Sequence, residues 1–151
     1  MVHLSFWLHL YSTLFMTGLI WFVQVVHYPL FLGVGTSEFT EYAAKHQHLT
    51  GLVVILPMVC ELITAGLLAL HPESPLPSVY AWLGLALVLL IWASTFFLQV
   101  PEHARLSSGM DPNAVARLVH TNWVRTVLWT VRSGLLIAGL ATHSIVLGQH
   151  P

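Results

Sequence analysis

Polar and ionisable side chains stand at the edges of long apolar stretches in this chain, where contact with hydrocarbon makes them costly. Four groups recur, each where one apolar stretch ends or the next begins: Gln24 and His27; His46, His48 and Thr50; Gln99, Glu102 and His103; His120, Asn122 and Arg125. Histidine transfers protons near neutral pH and binds zinc, iron or copper. If the stretches run up and down, these groups share one level, which predicts a polar pocket.

Helical spacing aligns further polar residues with these groups. One stripe consists of Asn122, Arg125, Trp129 and Arg132. Another consists of His46, Thr50, Pro57, Glu61 and Thr64. Intervals of three and four residues place side chains on one face of a helix. Polar stripes that face inward from neighbouring helices are expected to line a channel or pocket.

Glu61 and Arg132 are the most costly residues of these stripes. Each lies about ten residues inside an apolar stretch, roughly 15 Å deep at 1.5 Å per residue. An isolated charge at that depth costs several kcal/mol, so the sequence predicts that the two side chains form an ion pair. The pair either fixes helix packing or serves as a proton-relay or substrate-binding group at the pocket floor.

Two sets of site residues follow from the stripes. The catalytic set would move protons and stabilise an oxyanion or enolate, and it consists of Glu61, Arg132, Arg125 and His27. The set that binds a cofactor or ligand consists of Gln24, Gln99, Asn122 and Trp129. Core packing is the alternative role for Trp129 and for two other deep tryptophans, Trp21 and Trp92.

The histidines allow two kinds of cofactor. A transition-metal site would use His27, His46, His103 and His120, with Glu61 or Glu102 as carboxylate ligand. No H-x-x-x-H or E-x-x-H pair lies within one helix, so interfacial hydrogen bonding and proton transfer are alternatives. At the other end of their spans, His9 and His143 would either ligate a b-type haem or form hydrogen bonds near the headgroups.

Four apolar stretches must position these side chains. Of 151 residues, 56% are hydrophobic and 7% are charged, against roughly 25% charged residues in soluble domains. A membrane span needs about 20 mainly apolar residues. Residues 4–26, 50–70, 78–100 and 123–147 meet that condition. The sequence predicts an all-α, integral membrane four-helix up-down bundle that forms a single domain over residues 1–151.

The connections between the spans carry helix-start signals. Ser37 is a predicted N-cap of a helix over residues 37–47, and Asp111-Pro112 is typical of an N-cap followed by proline at the first helical position. We therefore predict two short interfacial helical segments, the second of which either ends or continues into the last span. The proline-rich stretch 71–77 predicts a tight turn, and Pro101 predicts the end of the third span.

Basic residues indicate the orientation. Lys45, Arg105 and Arg117 lie in the first and third connections and Arg125 opens the last span, whereas the termini and the turn 71–77 carry no Lys or Arg. The positive-inside rule predicts that these connections face the cytoplasm and that both termini lie outside a cell inner (plasma) membrane. The net charge of -1 excludes a nucleic-acid surface.

Two sequence stretches resemble a known group of proteins. They are Trp21-Phe22-Val23-Gln24-Val25-Val26-His27-Tyr28-Pro29 and the Asn122-Trp123-Val124-Arg125 start of the last span, continued by Trp129-Thr130-Val131-Arg132. The chain resembles an uncharacterised group of small bacterial four-helix membrane proteins, which is itself similar to the broad membrane family of the fungal anthrone oxygenases. Those enzymes oxidise polyketide anthrones to anthraquinones. The resemblance implies an oxidative role on a flat hydrophobic substrate, and it carries over no catalytic residue.

Three functions are compatible with these features. The first is a metal- or haem-dependent oxidoreductase that acts on a hydrophobic small molecule in a pocket on the cytoplasmic side. The second is a non-catalytic accessory subunit that binds a pigment, a quinone or partner helices. The third is a proton or small-solute transporter, for which four helices are few unless the chain forms oligomers. The expected partners are the bilayer, a hydrophobic small molecule, and further copies or a larger membrane complex.

Overall fold

The computed structural model describes the backbone of residues 2–148 and the side chains of residues 2–142. Every regular element in this range is helical. The elements, in chain order, are α1 (Val2–Phe22), a π-helical turn (Val23–His27), a 3₁₀ turn (Pro29–Gly33), α2 (Phe39–Leu70), α3 (Ser78–Ser94), a second π-helical turn (Thr95–Gln99), α4 (Val100–Leu106) and α5 (Pro112–Gly148).

Four helical stretches in the described range are long and apolar enough to cross a membrane. They cover Val2–Gly33, Phe39–Leu70, Ser78–Leu106 and Pro112–Thr142. In hydrocarbon no water is present to form hydrogen bonds with backbone N–H and C=O groups. An α-helix pairs these groups with each other, so apolar stretches in a membrane are helical. The prediction of an all-α four-helix membrane bundle is confirmed.

The helices pack in a closed ring. α1 contacts α2 and α5, and α3 contacts the same two helices, so α2 and α5 face each other across the middle of the bundle. The outer faces are apolar, as Leu56 and Phe97 illustrate, since each is about three-quarters exposed. Polar side chains are collected in the interior, including Gln24, Glu61 and Arg132. This distribution is the reverse of a soluble bundle and suits hydrocarbon as the solvent.

The two segments expected at the membrane interface are helical but are not separate elements. Residues 39–47 form the first turns of α2, and residues 112–122 form the first turns of α5, because no proline or adjacent glycines interrupt the chain before the apolar stretch. Asp111 acts as predicted, since its carboxylate accepts a hydrogen bond from the Asn113 N–H at 2.9 Å. Ser37 instead donates to the Glu38 carboxylate.

Pro101 does not end the third helical stretch, contrary to the prediction. The helix passes through the second π-helical turn and continues as α4, with Pro101 in the first turn of that helix. Proline is tolerated there because the first N–H groups of a helix have no intrahelical partner.

One end of the bundle carries the basic residues Lys45, Arg105 and Arg117, and we call it the basic end. It is formed by the 3₁₀ turn, the first turns of α2 and α5, and α4. Glu102 lies 3.1 Å from both Arg105 and Arg117, so this buried carboxylate joins α4 to α5. The side of the membrane that the basic end faces stays a prediction.

Candidate functional site

Arg132 of α5 lies at the centre of the bundle and contacts all the other long helices. Its Nη1 group donates to the Glu61 carboxylate of α2. Its Nε group donates to the Gly84 carbonyl of α3 at 3.2 Å, and its Nη2 group donates to His9 Nε2 of α1 at 3.1 Å. The predicted Glu61–Arg132 ion pair is therefore confirmed, and both side chains are fully buried.

The remaining atoms around this ion pair are also paired. Trp129 Nε1 donates to the second Glu61 oxygen at 3.0 Å. Because His9 Nε2 accepts from Arg132, the proton of its neutral ring lies on Nδ1, which donates to Thr64 Oγ1 at 2.8 Å. The Thr64 hydroxyl in turn donates to the Cys60 carbonyl. We call His9, Glu61, Thr64, Trp129 and Arg132 the central cluster, and every polar side-chain atom in it has a partner.

This arrangement overturns the haem interpretation of His9. A haem iron needs a free imidazole nitrogen, whereas Arg132 and Thr64 occupy both nitrogens of His9. The proposed second ligand, His143, lies outside the side chains that the structure describes.

A pocket of about 320 Å³ lies between the central cluster and the basic end. Apolar side chains of α1 and α2 form most of its wall, including Met16, Ile20 and Met58. Five larger polar side chains face it, and we call them the pocket cluster: Tyr28, His46, Gln99, His103 and Arg125. Smaller or more exposed residues complete the rim, namely Gln47, Thr50, Gly51, Thr95, Val100 and Ala104. The volume and mixed lining are typical of a small-molecule site.

The two π-helical turns bring polar residues to this pocket. The Tyr28 N–H bonds to the Val23 carbonyl at 3.0 Å, five residues back, and the turn leaves Tyr28 buried beside the pocket. The other turn ends at Gln99. Single π-helical turns inside α-helices are rare and recur at functional sites.

Histidine contacts connect the pocket to the basic end. His46 Nδ1 lies 2.8 Å from His27 Nε2 and 3.1 Å from Thr50 Oγ1. The His46 and His103 rings stack with their centroids 5.4 Å apart. The Tyr28 hydroxyl and His103 Nε2 are hydrogen-bonded at 3.0 Å. These contacts hold three histidines in one group although they come from three different helical segments.

Two atoms of the pocket cluster have no hydrogen-bond partner within the described part of the chain: Gln99 Oε1 and Arg125 Nε. Both side chains are more than nine-tenths buried. The Gln99 amide orientation is fixed, because Thr121 donates its own proton to the Arg117 carbonyl and so must accept from Gln99 Nε2 at 2.9 Å. Buried polar atoms are usually paired. Four other buried atoms in the described residues also lack a partner but lie outside the pocket wall, namely Thr13 Oγ1, Trp92 Nε1, Ser94 Oγ and Asn122 Oδ1, and Arg125 Nε is the one that belongs to a charged group.

The structure divides the predicted site residues among three places. His46, Gln99, His103 and Arg125 line the pocket, and His27 bonds to His46 behind the wall. Glu61, Trp129 and Arg132 belong to the central cluster and not to the pocket wall. Gln24 and Asn122 form a separate contact between the first π-helical turn and α5, in which Asn122 Nδ2 donates to Gln24 Oε1 at 2.9 Å.

His120 does not join the other histidines. Its side chain is exposed, whereas Asn122 is fully buried. Two residues correspond to about 200° around an α-helix of 3.6 residues per turn, so a helix that buries Asn122 must direct His120 outward. The four-histidine metal site is therefore not formed. Among the described residues, no group of three His, Cys, Asp or Glu side chains is placed to hold a metal ion.

Two residues of the pocket wall, Tyr28 and Gln47, were not predicted from the sequence. Tyr28 directly follows the predicted His27, but a regular helical phase gives no sign of the π-helical turn that places it in the wall. Gln47 donates to the His103 carbonyl at 3.0 Å and to Ser107 Oγ, so it ties α2 to α4 beside the pocket. Its position among exposed residues of the predicted interfacial segment gave no signal for that role.

Fold and site together define a class of protein: over the described residues, an all-helical bundle with four helices able to span a membrane and a pocket between them. In the comparisons with known proteins, no family model, no curated protein and no solved structure matches the chain. The resemblance to the anthrone oxygenase-like family stays a prediction.

Proposed function

We propose that this protein binds a small, mostly apolar molecule that carries a polar oxygen-containing end. The observation that carries the proposal is the pair of buried, unpartnered atoms at the pocket wall, Gln99 Oε1 and Arg125 Nε. The Arg125 guanidinium supplies N–H donors for a ligand oxygen, and the Gln99 amide supplies an acceptor for a ligand hydroxyl or N–H group. The apolar wall favours a hydrophobic body for the rest of the ligand.

The position of the pocket supports a ligand that is dissolved in the membrane. Val100 and Ala104 line the pocket and are exposed on the outside of the bundle, and Gly51 opposite them is partly exposed. The pocket thus opens sideways between α2 and α4.

Binding, and not a metal-dependent oxidation, is the function that the geometry favours. The described residues offer no three-ligand metal group, and the histidines that face the pocket are held by hydrogen bonds or ring contacts. Of the three functions considered from the sequence, this agrees best with a protein that binds a pigment, a quinone or a similar molecule. Oxidation of the ligand rests on the resemblance alone.

A glycine in the pocket wall allows a direct test. A Cβ atom added at Gly51 meets nothing within 4 Å, so a side chain can start there, and we expect Gly51→Leu to occupy pocket volume. Gly66 is the matched control, because it lies on the same helix, also has open space at its Cβ, and is outside the pocket wall. Both changes replace a helical glycine by leucine, so their effects on helix propensity match.

The experiment is calorimetric titration of the detergent-solubilised protein with 2-naphthol and with 2-naphthoate, two naphthalenes with different oxygen groups. We expect saturable binding of at least one probe, with one site per chain, that Gly51→Leu weakens at least tenfold and Gly66→Leu leaves unchanged. Binding of neither probe, or equal loss in both variants, would refute the proposal.

A further inference from the structure

Of the Lys and Arg side chains in the described part of the chain, Arg125 is the one that has no ion pair with an acidic residue. The chain has five Lys and Arg residues, and the other four form ion pairs: Lys45 with Glu41, Arg105 and Arg117 with Glu102, and Arg132 with Glu61. The three of these that lie at the basic end are at least partly exposed and solvated. Arg125 is buried and has no such compensation.

The neutral groups around Arg125 do not replace a counter-ion. The guanidinium carbon lies 5.3 Å from the centre of the Trp129 ring, in a cation–π contact. The Tyr28 phenol is also within interaction range, but a phenol is uncharged near pH 7. No Asp or Glu contributes to the pocket wall. A buried cation without an acid is strongly unfavourable, because desolvation is not repaid by Coulomb attraction.

We propose that the ligand supplies the missing negative charge, so that the pocket binds a lipophilic monoanion. This inference rests on the proposed function and narrows its ligand class. The anionic oxygen, from a carboxylate or an ionised phenol or enol, would accept a hydrogen bond from the Arg125 guanidinium. A charge-assisted hydrogen bond of this kind is roughly twice as strong as a neutral one. The apolar body would lie against the side chains of α1 and α2.

The central cluster contains an arginine whose charge is neutralised by an acidic residue of the same chain. Arg132 lies two helical turns beyond Arg125 on α5, and there Glu61 neutralises it and all its donors are paired. At Arg125 the same helix has a buried donor without a partner among the described residues, and the side chain borders a cavity. The difference between these two positions is the basis for assigning the second site to an external anion.

The test is a cycle of two ligands and two proteins. 2-Naphthoate and 2-naphthamide have the same rings and similar head groups, but only the first is charged. We expect Arg125→Gln to weaken 2-naphthoate binding at least tenfold and 2-naphthamide binding less than threefold. Comparing each probe with itself removes the different partitioning of the two probes into micelles. Arg117→Gln is the matched control, since it removes a positive charge of the same end outside the pocket.

A second variant covers the case in which Arg125→Gln does not fold. Arg125→Lys keeps the charge but loses the planar donor geometry, and we expect it to retain a preference for the anion. Equal effects of Arg125→Gln on both probes, or loss of the preference for 2-naphthoate in Arg125→Lys, would overturn the inference. The proposed function would still stand if at least one probe bound in a Gly51-sensitive manner, and it would fail separately if neither probe bound.

Discussion

Two arginines on one face of α5 have opposite surroundings. Arg132 pairs with Glu61, and its three nitrogens donate to α1, α2 and α3. Arg125 faces a cavity, meets no acid among the described side chains, and leaves Nε unpaired. Both are buried, and Trp129 lies between them, with its ring under Arg125 and its N–H bonded to Glu61. The comparison supports the proposal that a binding site in this bundle is marked by a buried charge that is incompletely paired, and not by buried charge alone.

The largest expected effect is the loss of the internal counter-ion. Glu61→Gln keeps the shape of the side chain but leaves Arg132 as a buried unpaired cation, and removing one partner of a buried ion pair costs about 3–5 kcal/mol. We expect a clear fall in the unfolding midpoint, measured by denaturant titration in detergent. Glu73→Gln in the turn between α2 and α3 serves as the control and should have no measurable effect.

One outcome would contradict the prediction for Glu61→Gln. If Glu61→Gln unfolds at the same midpoint as the unmodified protein, the central cluster does not hold the helices together. Adding Arg132→Met to Glu61→Gln removes the unpaired charge, so the double variant should recover part of the lost stability. A double variant that is less stable than the sum of the single changes would also count against pairing.

The number of spans and the central ion pair could be predicted from the sequence because hydrocarbon imposes strong rules. A stretch of about 20 apolar residues is long enough to span the membrane as a helix. A charged side chain about ten residues inside such a span needs a partner of opposite charge, and this rule predicted the pair of Glu61 and Arg132. Helical phase also identified the inward faces that carry His46, Gln99 and Arg125. These inferences use only two properties of a residue: its depth within the span and its angular position around the helix axis.

The division of polar residues between pocket and scaffold could not be predicted in that way. Gln24 and Gln99 lie on similar inward faces, but Gln24 pairs all its polar atoms with α5 whereas Gln99 keeps a free oxygen. Whether an amide finds hydrogen-bond partners depends on the distance between neighbouring helices. The spacing of polar residues along one helix gives no information about that distance. Tyr28 was not predicted for a different reason, because the π-helical turn Val23–His27 changes the helical phase just before it.

These two glutamines give the second prediction, since they are the same residue type at equal burial with different pairing. Gln24→Leu should cost about 1–3 kcal/mol, because it leaves the buried Asn122 amide group without its acceptor. Gln99→Leu loses one hydrogen bond to Thr121 and also removes an unpaired buried oxygen, so its cost should be below about 1 kcal/mol. Denaturant unfolding of both variants in one detergent measures the difference. Equal costs would mean that pairing in the structure does not separate scaffold from pocket.

The smallest expected effect concerns Arg125 itself in the ligand-free protein. Arg125→Met removes the cation–π contact with Trp129, worth about 0.5–2 kcal/mol, but it also removes the desolvation cost of a charge without an acid. The desolvation term is at least as large as the cation–π term, so we expect the free energy of unfolding to fall by no more than about 1 kcal/mol, or to rise. A loss as large as that of Glu61→Gln would mean that Arg125 is structural and has a counter-charge in the folded protein. A small loss, combined with a loss of 2-naphthoate binding, separates the arginine kept for a ligand from the arginine kept for the fold.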